Sequence, residues 1–126
     1  VGYNDPDLYN QPEKFGIKII GTVEWSEPCY SFDTTVVAEG VDPDGVIYYV
    51  FSDSGCSCPS PFESYTSLDN EGVWSTRNPH EVVAKLQAIL ADYSEEDQRG
   101  ARPEVIDLTS KLLRNVNHPK ALGGRS

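Results

Sequence analysis

The side chains best equipped for chemistry in this 126-residue chain are three thiols, Cys29, Cys56 and Cys58, and two imidazoles, His80 and His118. Cys56 and Cys58 stand one residue apart in the stretch Tyr48–Tyr65, YYVFSDSGCSCPSPFESY, which passes from a run of β-formers, ending near Ser52, into a loop stiffened by Pro59 and Pro61. Three thiols near the ends of adjacent strands, with His80 or a carboxylate as a fourth ligand, would match the donor set of a tetrahedral zinc site. The spacing fits only in part, because structural zinc knuckles are usually paired C-x2-C units and here a single C-x-C accompanies a lone cysteine. A disulfide from Cys29 to Cys56 or Cys58 is a second option and leaves one thiol over, since a bridge across one intervening residue is strained. A third is reduced, buried thiols acting as small hydrophobes. From the residues alone all three stay open.

A cysteine hydrolase needs a thiolate beside a base, and Asp53, Cys56 and His80 can be drawn as such a triad, although nothing in their spacing demands it. There is no phosphate-binding glycine loop, no dinucleotide fingerprint and no HExxH. The adjacent carboxylates Asp42 with Asp44, and Glu95 with Glu96, fall in turns and first helical turns, where solvated charge is ordinary. The reading is therefore a protein that is not an enzyme and holds no cofactor, zinc being the one ion its donors suit. A zinc- or thiol-dependent enzyme using the Cys56/Cys58 loop is the alternative.

Charge and aromatic content point instead to an interaction protein. The net charge is -10, and it is unevenly spread: residues 1–76 carry thirteen carboxylates against Lys14 and Lys18 alone, while the remainder is nearly neutral. Such a field repels nucleic acid from the acidic half and favours a basic protein surface there. Trp25, Tyr30, Phe32, Tyr48, Tyr49, Phe51, Phe62, Tyr65 and Trp74 crowd the same half, more rings than one face of a small sheet uses, so some are expected at the surface as interface anchors. The interaction candidates are Trp25, Glu27, Asp33, Asp53, Glu63 and Tyr65.

The elements that must carry these residues can be read from periodicity. Residues 1–12, VGYNDPDLYNQP, form an irregular arm that Leu8 and the tyrosines can pin. From Phe15 the chain alternates, with Phe15, Ile17, Ile19, Gly21, Val23 and Trp25 on one face. A second strand over Cys29–Glu39, the turn Asp42-Pro43-Asp44-Gly45 and a returning strand over Val46–Phe51 complete an antiparallel meander. Val73 and Trp74 suit a short edge strand. Asn78, Pro79 and Glu81 spell a helix start, followed by Val82, Val83, Leu86, Ile89, Leu90 and Tyr93 at helical spacing. Ser94 opens a short helix that Gly100 stops, and Pro103 opens a last one. The fold class expected is α+β, a single domain over 1–126 in which a meander of three to four strands is packed on one face by two or three C-terminal helices, with a flexible tail over 117–126. No apolar run approaches the ~20 residues that span a bilayer, so no membrane partner is expected.

The segments WSEPCYSFD, Trp25–Asp33, and SDSGCSCPSPFE, Ser52–Glu63, resemble a pair of motifs found in small acidic proteins of unknown function from actinobacteriophages of the mycobacteriophage type. The resemblance covers roughly residues 13–66 and carries no catalytic residues. It implies synthesis in a bacterial host cytoplasm and reduced thiols. The resulting expectation is a phage-encoded module that binds a host or phage protein as an inhibitor, an immunity-like protein or a nucleic-acid mimic, with a structural virion component as a weaker option.

Overall fold

In the computed structural model, residues 7–25, 31–56, 62 and 65–117 are described. Four strands, β1 (Ile17–Glu24), β2 (Ser31–Asp42), β3 (Gly45–Cys56) and β4 (Trp74–Thr76), form one antiparallel sheet in the order β1-β2-β3-β4, and two helices follow, α1 (Pro79–Ala91) and α2 (Glu95–Asn117). This is the expected α+β meander. The turn between β2 and β3 lies where Pro43 presets its own φ, Asp42 Oδ1 accepts the Asp44 amide at 2.9 Å, and Gly45 takes a φ of 119°, which a side chain would resist.

β3 runs on past Ser52 to Cys56, contrary to the stop expected from Ser-Asp-Ser-Gly, because β2 begins at Ser31 and offers a ladder partner to every residue as far as Cys56. Pairing across the sheet overrides weak local propensity. The strict alternation of the first strand is also broken. The β1–β2 register slips between Ile19 and Gly21, a bulge at Ile20 that adds one residue to β1. Its effect is to divide the odd-numbered run: Ile17 and Ile19 pack with Val36, Ala38 and Phe51, whereas Val23 and Trp25 pack with Val37, Tyr48 and Val50 on the opposite face.

The sheet is therefore buried on both faces. The helices cover one. Val82, Leu86 and Leu90 from α1 and Ala101, Val105, Leu108 and Leu112 from α2 recur at helical spacing and are all buried there. Asn78 caps α1 by accepting the His80 amide at 2.9 Å, and the expected capping box is rerouted, since Glu81 bonds the Thr76 hydroxyl, which in turn accepts the Asn78 amide. Ser94 caps α2, taking the Asp97 amide on its hydroxyl. Gly100 and Pro103 do not divide that segment into two helices: α2 is continuous, and buried Ala101 before Pro103 lies on the same apolar stripe as Val105, Leu108 and Leu112 after it. Proline forfeits one backbone bond, and shared packing on both sides keeps the axis going.

The opposite face, expected to be open, is covered by irregular chain. Leu8 and Phe62 are fully buried there, with Phe15, Tyr65, Leu68 and Val73 packed around them. The described part of the arm, residues 7–12, thus contributes Leu8 to the core, and residues 1–6 lie outside the described residues. Asp7 Oδ1 accepts the amides of Tyr9 and Asn10, closing a tight turn that aims Leu8 inward, and the Leu8 amide donates to the Tyr65 carbonyl at 2.9 Å. No helix among the described residues is long and apolar enough to cross a membrane.

Candidate functional site

Of the expected metal donors, the two described ones, Cys56 and His80, do not come together. Thr76 of β4 pairs with Tyr48 and the chain then turns into α1, so His80 lies at the Gly45 end of the sheet, whereas Cys56 ends β3 at the other. At about 3.3 Å per strand residue, the run from Tyr48 to Cys56 alone separates them by roughly 26 Å. Cys29 and Cys58 lie outside the described residues. No group of three His, Cys, Asp or Glu side chains among the described residues is placed to hold a metal ion. The same separation dismantles the triad of Asp53, Cys56 and His80.

The interaction candidates within the described residues are instead built into the scaffold. Trp25, expected as a surface anchor, is 2 % exposed. Its ring stacks on Tyr93 at 5.1 Å, and its Nε1 donates to the Thr35 hydroxyl at 2.8 Å, which continues to Ser52. A buried indole N–H needs such a partner, and here the sheet supplies it. Asp33 accepts the Tyr93 phenol, and its amide donates to Glu24 Oε2 at 2.8 Å. Burial, reinforced by that bond to Asp33, pushes the Tyr93 phenol well above its ordinary range.

Asp53 and Tyr65 perform the corresponding task on the other face. Asp53 Oδ2 accepts the amide of Phe62 at 2.8 Å, holding that residue at a φ of 66°, where a bulky side chain is strained. Tyr65 donates to the Ser52 carbonyl at 2.7 Å, its ring lies against Phe51 and Phe62, and its phenol is raised by burial and then by the Asp53 charge. Glu27 and Glu63 lie outside the described residues.

What remains for a partner is charge at the rim. Asp92, Glu95, Glu96 and Asp97 are all exposed at the α1–α2 corner. At the hairpin tip Arg77 pairs with Asp42 and lies 3.9 Å from Asp44, holding the Asp42 carboxyl below its usual range, and the apolar partners Val41 and Val46 are 78 % and 44 % exposed. The two halves of the sequence take different sides among the described residues: those up to 76 build the sheet and cover one of its faces, and the helices after Arg77 cover the other. Glu24 and Glu104 meet at the β1–α2 seam, where Glu104 Oε1 accepts the Glu24 amide at 3.0 Å.

That seam is a feature the sequence analysis did not find. Gly21 of β1 and Leu108 of α2 touch so closely that a Cβ on residue 21 would fall 2.5 Å from Leu108 Cδ2, and the helix lies along the strand because nothing projects there. Thr22 and Gly21 then form one wall of an open groove of about 470 Å³ whose other wall carries Glu104, Asp107, Leu108 and Lys111. The available signal was Glu104 itself, a charge immediately beside the apolar stripe that begins at Ala101, the position from which a helical side chain reaches a sheet edge.

No curated protein and no solved structure matches the chain. A family model described as a domain of unknown function, DUF7574, matches residues 6–118, from the pinned arm to the end of α2, and the chain belongs to that family.

Proposed function

We propose that this chain is a small acidic protein-interaction module that docks on a protein with a basic surface, and that it is phage-encoded and acts on a host or phage protein in the cytoplasm of a bacterial host. The observation that carries the reading is the charge: the net is -10, while the described residues show only three ion pairs, two to Arg77 and one between Lys111 and Asp107. Among the described residues few exposed carboxylates are seen paired with a base, which supports steered, salt-sensitive association with a cation-rich partner and disfavours nucleic acid. Among the described residues the rings expected to share this work are largely occupied in the two cores, so docking rests on charge at the rim. The phage origin and an inhibitory, immunity-like or nucleic-acid-mimic role are supported by the resemblance of Trp25–Asp33 and Ser52–Glu63.

The test is affinity capture from host lysate at low and at high salt, beside a variant in which Glu95, Glu96 and Asp97 become Gln, Gln and Asn. A partner retained at low salt, released at high salt and weakened by the variant is the expected result. Absence of any salt-sensitive partner would end this reading.

A further inference from the structure

We propose that the outer edge of β1, where it runs beside α2, is a docking groove for a short extended segment of a partner protein bearing a lysine or arginine at its Glu104 end. The inference rests on the acidic-docking reading and gives it a place and a geometry.

β1 is the first strand of the order β1-β2-β3-β4, so its far edge has no strand beside it among the described residues. The Trp25 amide donates to the Asp33 carbonyl at 2.8 Å, which makes that pair an inward-facing one. By the alternation of an antiparallel ladder, the backbone groups of Glu24 and Thr22 then point outward. The structure displays the consequence at Glu24: its amide reaches away from β2 to Glu104 Oε1, so a carboxylate occupies the place where an added strand would offer a carbonyl. One register step away, Thr22 presents its outward N–H and C=O to the groove between the strand and α2. An edge strand beside a helix is the arrangement by which a peptide joins a sheet: main-chain bonds hold it, and the helix reads alternate side chains.

The dimensions and charges narrow the occupant. From Glu104 to Lys111 the helix advances about 10 Å, which is about three residues of extended chain. Glu104 makes one end anionic. At the other end Lys111 and Asp107 pair at 3.2 Å with both side chains substantially exposed, so that end is close to neutral. A base therefore belongs at the Glu104 end, where a carboxylate that accepts one amide has lone pairs left for a cation. A second copy of the chain fits less well. Two β1 edges pairing about Thr22 would each run into the bulge at Ile20, whereas a foreign segment needs only the outward N–H and C=O of Thr22, with its basic side chain reaching Glu104.

The experiment is amide-shift mapping of the isotopically labelled full chain with three capped probes: Lys-Val-Thr-Val-Thr, the same peptide N-methylated on alternate amides, and Glu-Val-Thr-Val-Thr. Expected are shifts at Thr22, Glu24, Glu104 and Asp107 with the lysine peptide, and affinity about tenfold lower for each of the other two. Thr22→Pro should abolish binding while preserving the sheet, since proline is tolerated on an edge where its missing N–H faces outward. Should circular dichroism show that variant unfolded, Glu104→Gln, which keeps an acceptor for the Glu24 amide and loses the charge, should weaken the lysine peptide severalfold. Equal binding of the N-methylated peptide, or self-association of the protein that Thr22→Pro removes, would overturn the proposal. Preference for lysine over glutamate with shifts centred on the Asp92–Asp97 corner or the hairpin tip would also overturn it and leave the acidic-docking reading intact. No preference between those two peptides would take down both.

Discussion

The two faces of the sheet are covered by opposite means. On one, α1 and α2 lay continuous apolar stripes over Val23, Trp25, Val37, Tyr48 and Val50, and their own backbones are satisfied within the helices. On the other, Leu8, Phe62 and their neighbours come from chain without regular structure, and the backbone there is held by individual bonds: Leu8 to Tyr65, Phe62 to Asp53, the Tyr65 phenol to Ser52. Helical cover is a cooperative unit, so its loss is shared along many residues. Irregular cover depends on a few polar contacts, and each is a point at which it can be released without unfolding the rest.

The largest expected effects come from emptying each core in turn. Leu108→Ala should cost about 2–5 kcal/mol and Phe62→Ala about 3–5 kcal/mol in denaturant unfolding. The contrast lies in hydrogen exchange: in Phe62→Ala the Leu8 and Tyr65 amides should lose protection ahead of the sheet, whereas in Leu108→Ala all protected amides should fall together. Exchange of Leu8 and Tyr65 only with the global transition would erase the distinction. Gly21→Ala should cost about 1–3 kcal/mol by forcing Leu108 and α2 off the strand, a helix-face defect measurable as a lowered midpoint. Asp53→Ala, on the other face, should cost about 1–2 kcal/mol by orphaning the Phe62 amide, with early exposure of Leu8 as its signature.

The smallest effect is a pH dependence. Both Tyr93, which serves the helix face, and Tyr65, which serves the other, have phenols raised above 10.0, chiefly by burial. Between that value and the folded one, the unfolded chain gives up the proton and the folded chain keeps it, so the folded state binds more protons and stability falls as pH rises past about 10. Tyr93→Phe should flatten the decline more than Tyr65→Phe in thermal melts, because the Tyr93 shift is the larger.

Legibility in the sequence follows the same division. The meander, its Asp42–Gly45 turn and the start of α1 were plain, because alternation, proline-glycine placement and capping residues act over a few positions. The bulge at Ile20 was not, since nothing distinguishes IKIIGTVE from an unbroken alternating strand until Ile17 and Val23 are seen in different cores. The unity of α2 was hidden by Gly100 and Pro103, whose local preferences yield to the packing of Ala101. Of the candidate site residues, Trp25, Asp33, Asp53 and Tyr65 drew notice as rings and carboxylates beside the cysteine stretches. Those side chains instead answer Thr35, Tyr93, Phe62 and Ser52, across separations in the chain that periodicity does not see. Glu104 and Thr22 were missed because an edge is a property of strand order, and strand order is absent from any single segment.

The extra residue at position 20 has one more implication. Between Ile17 and Trp25 the chain must supply isoleucines to one interior and then valine and tryptophan to the other, and the handover is made by counting. Exchanging Ile20 for another hydrophobe alters a single contact. Deleting it would rephase everything upstream or downstream, turning a set of buried side chains outward at a stroke, so length in this strand is under tighter constraint than lettering.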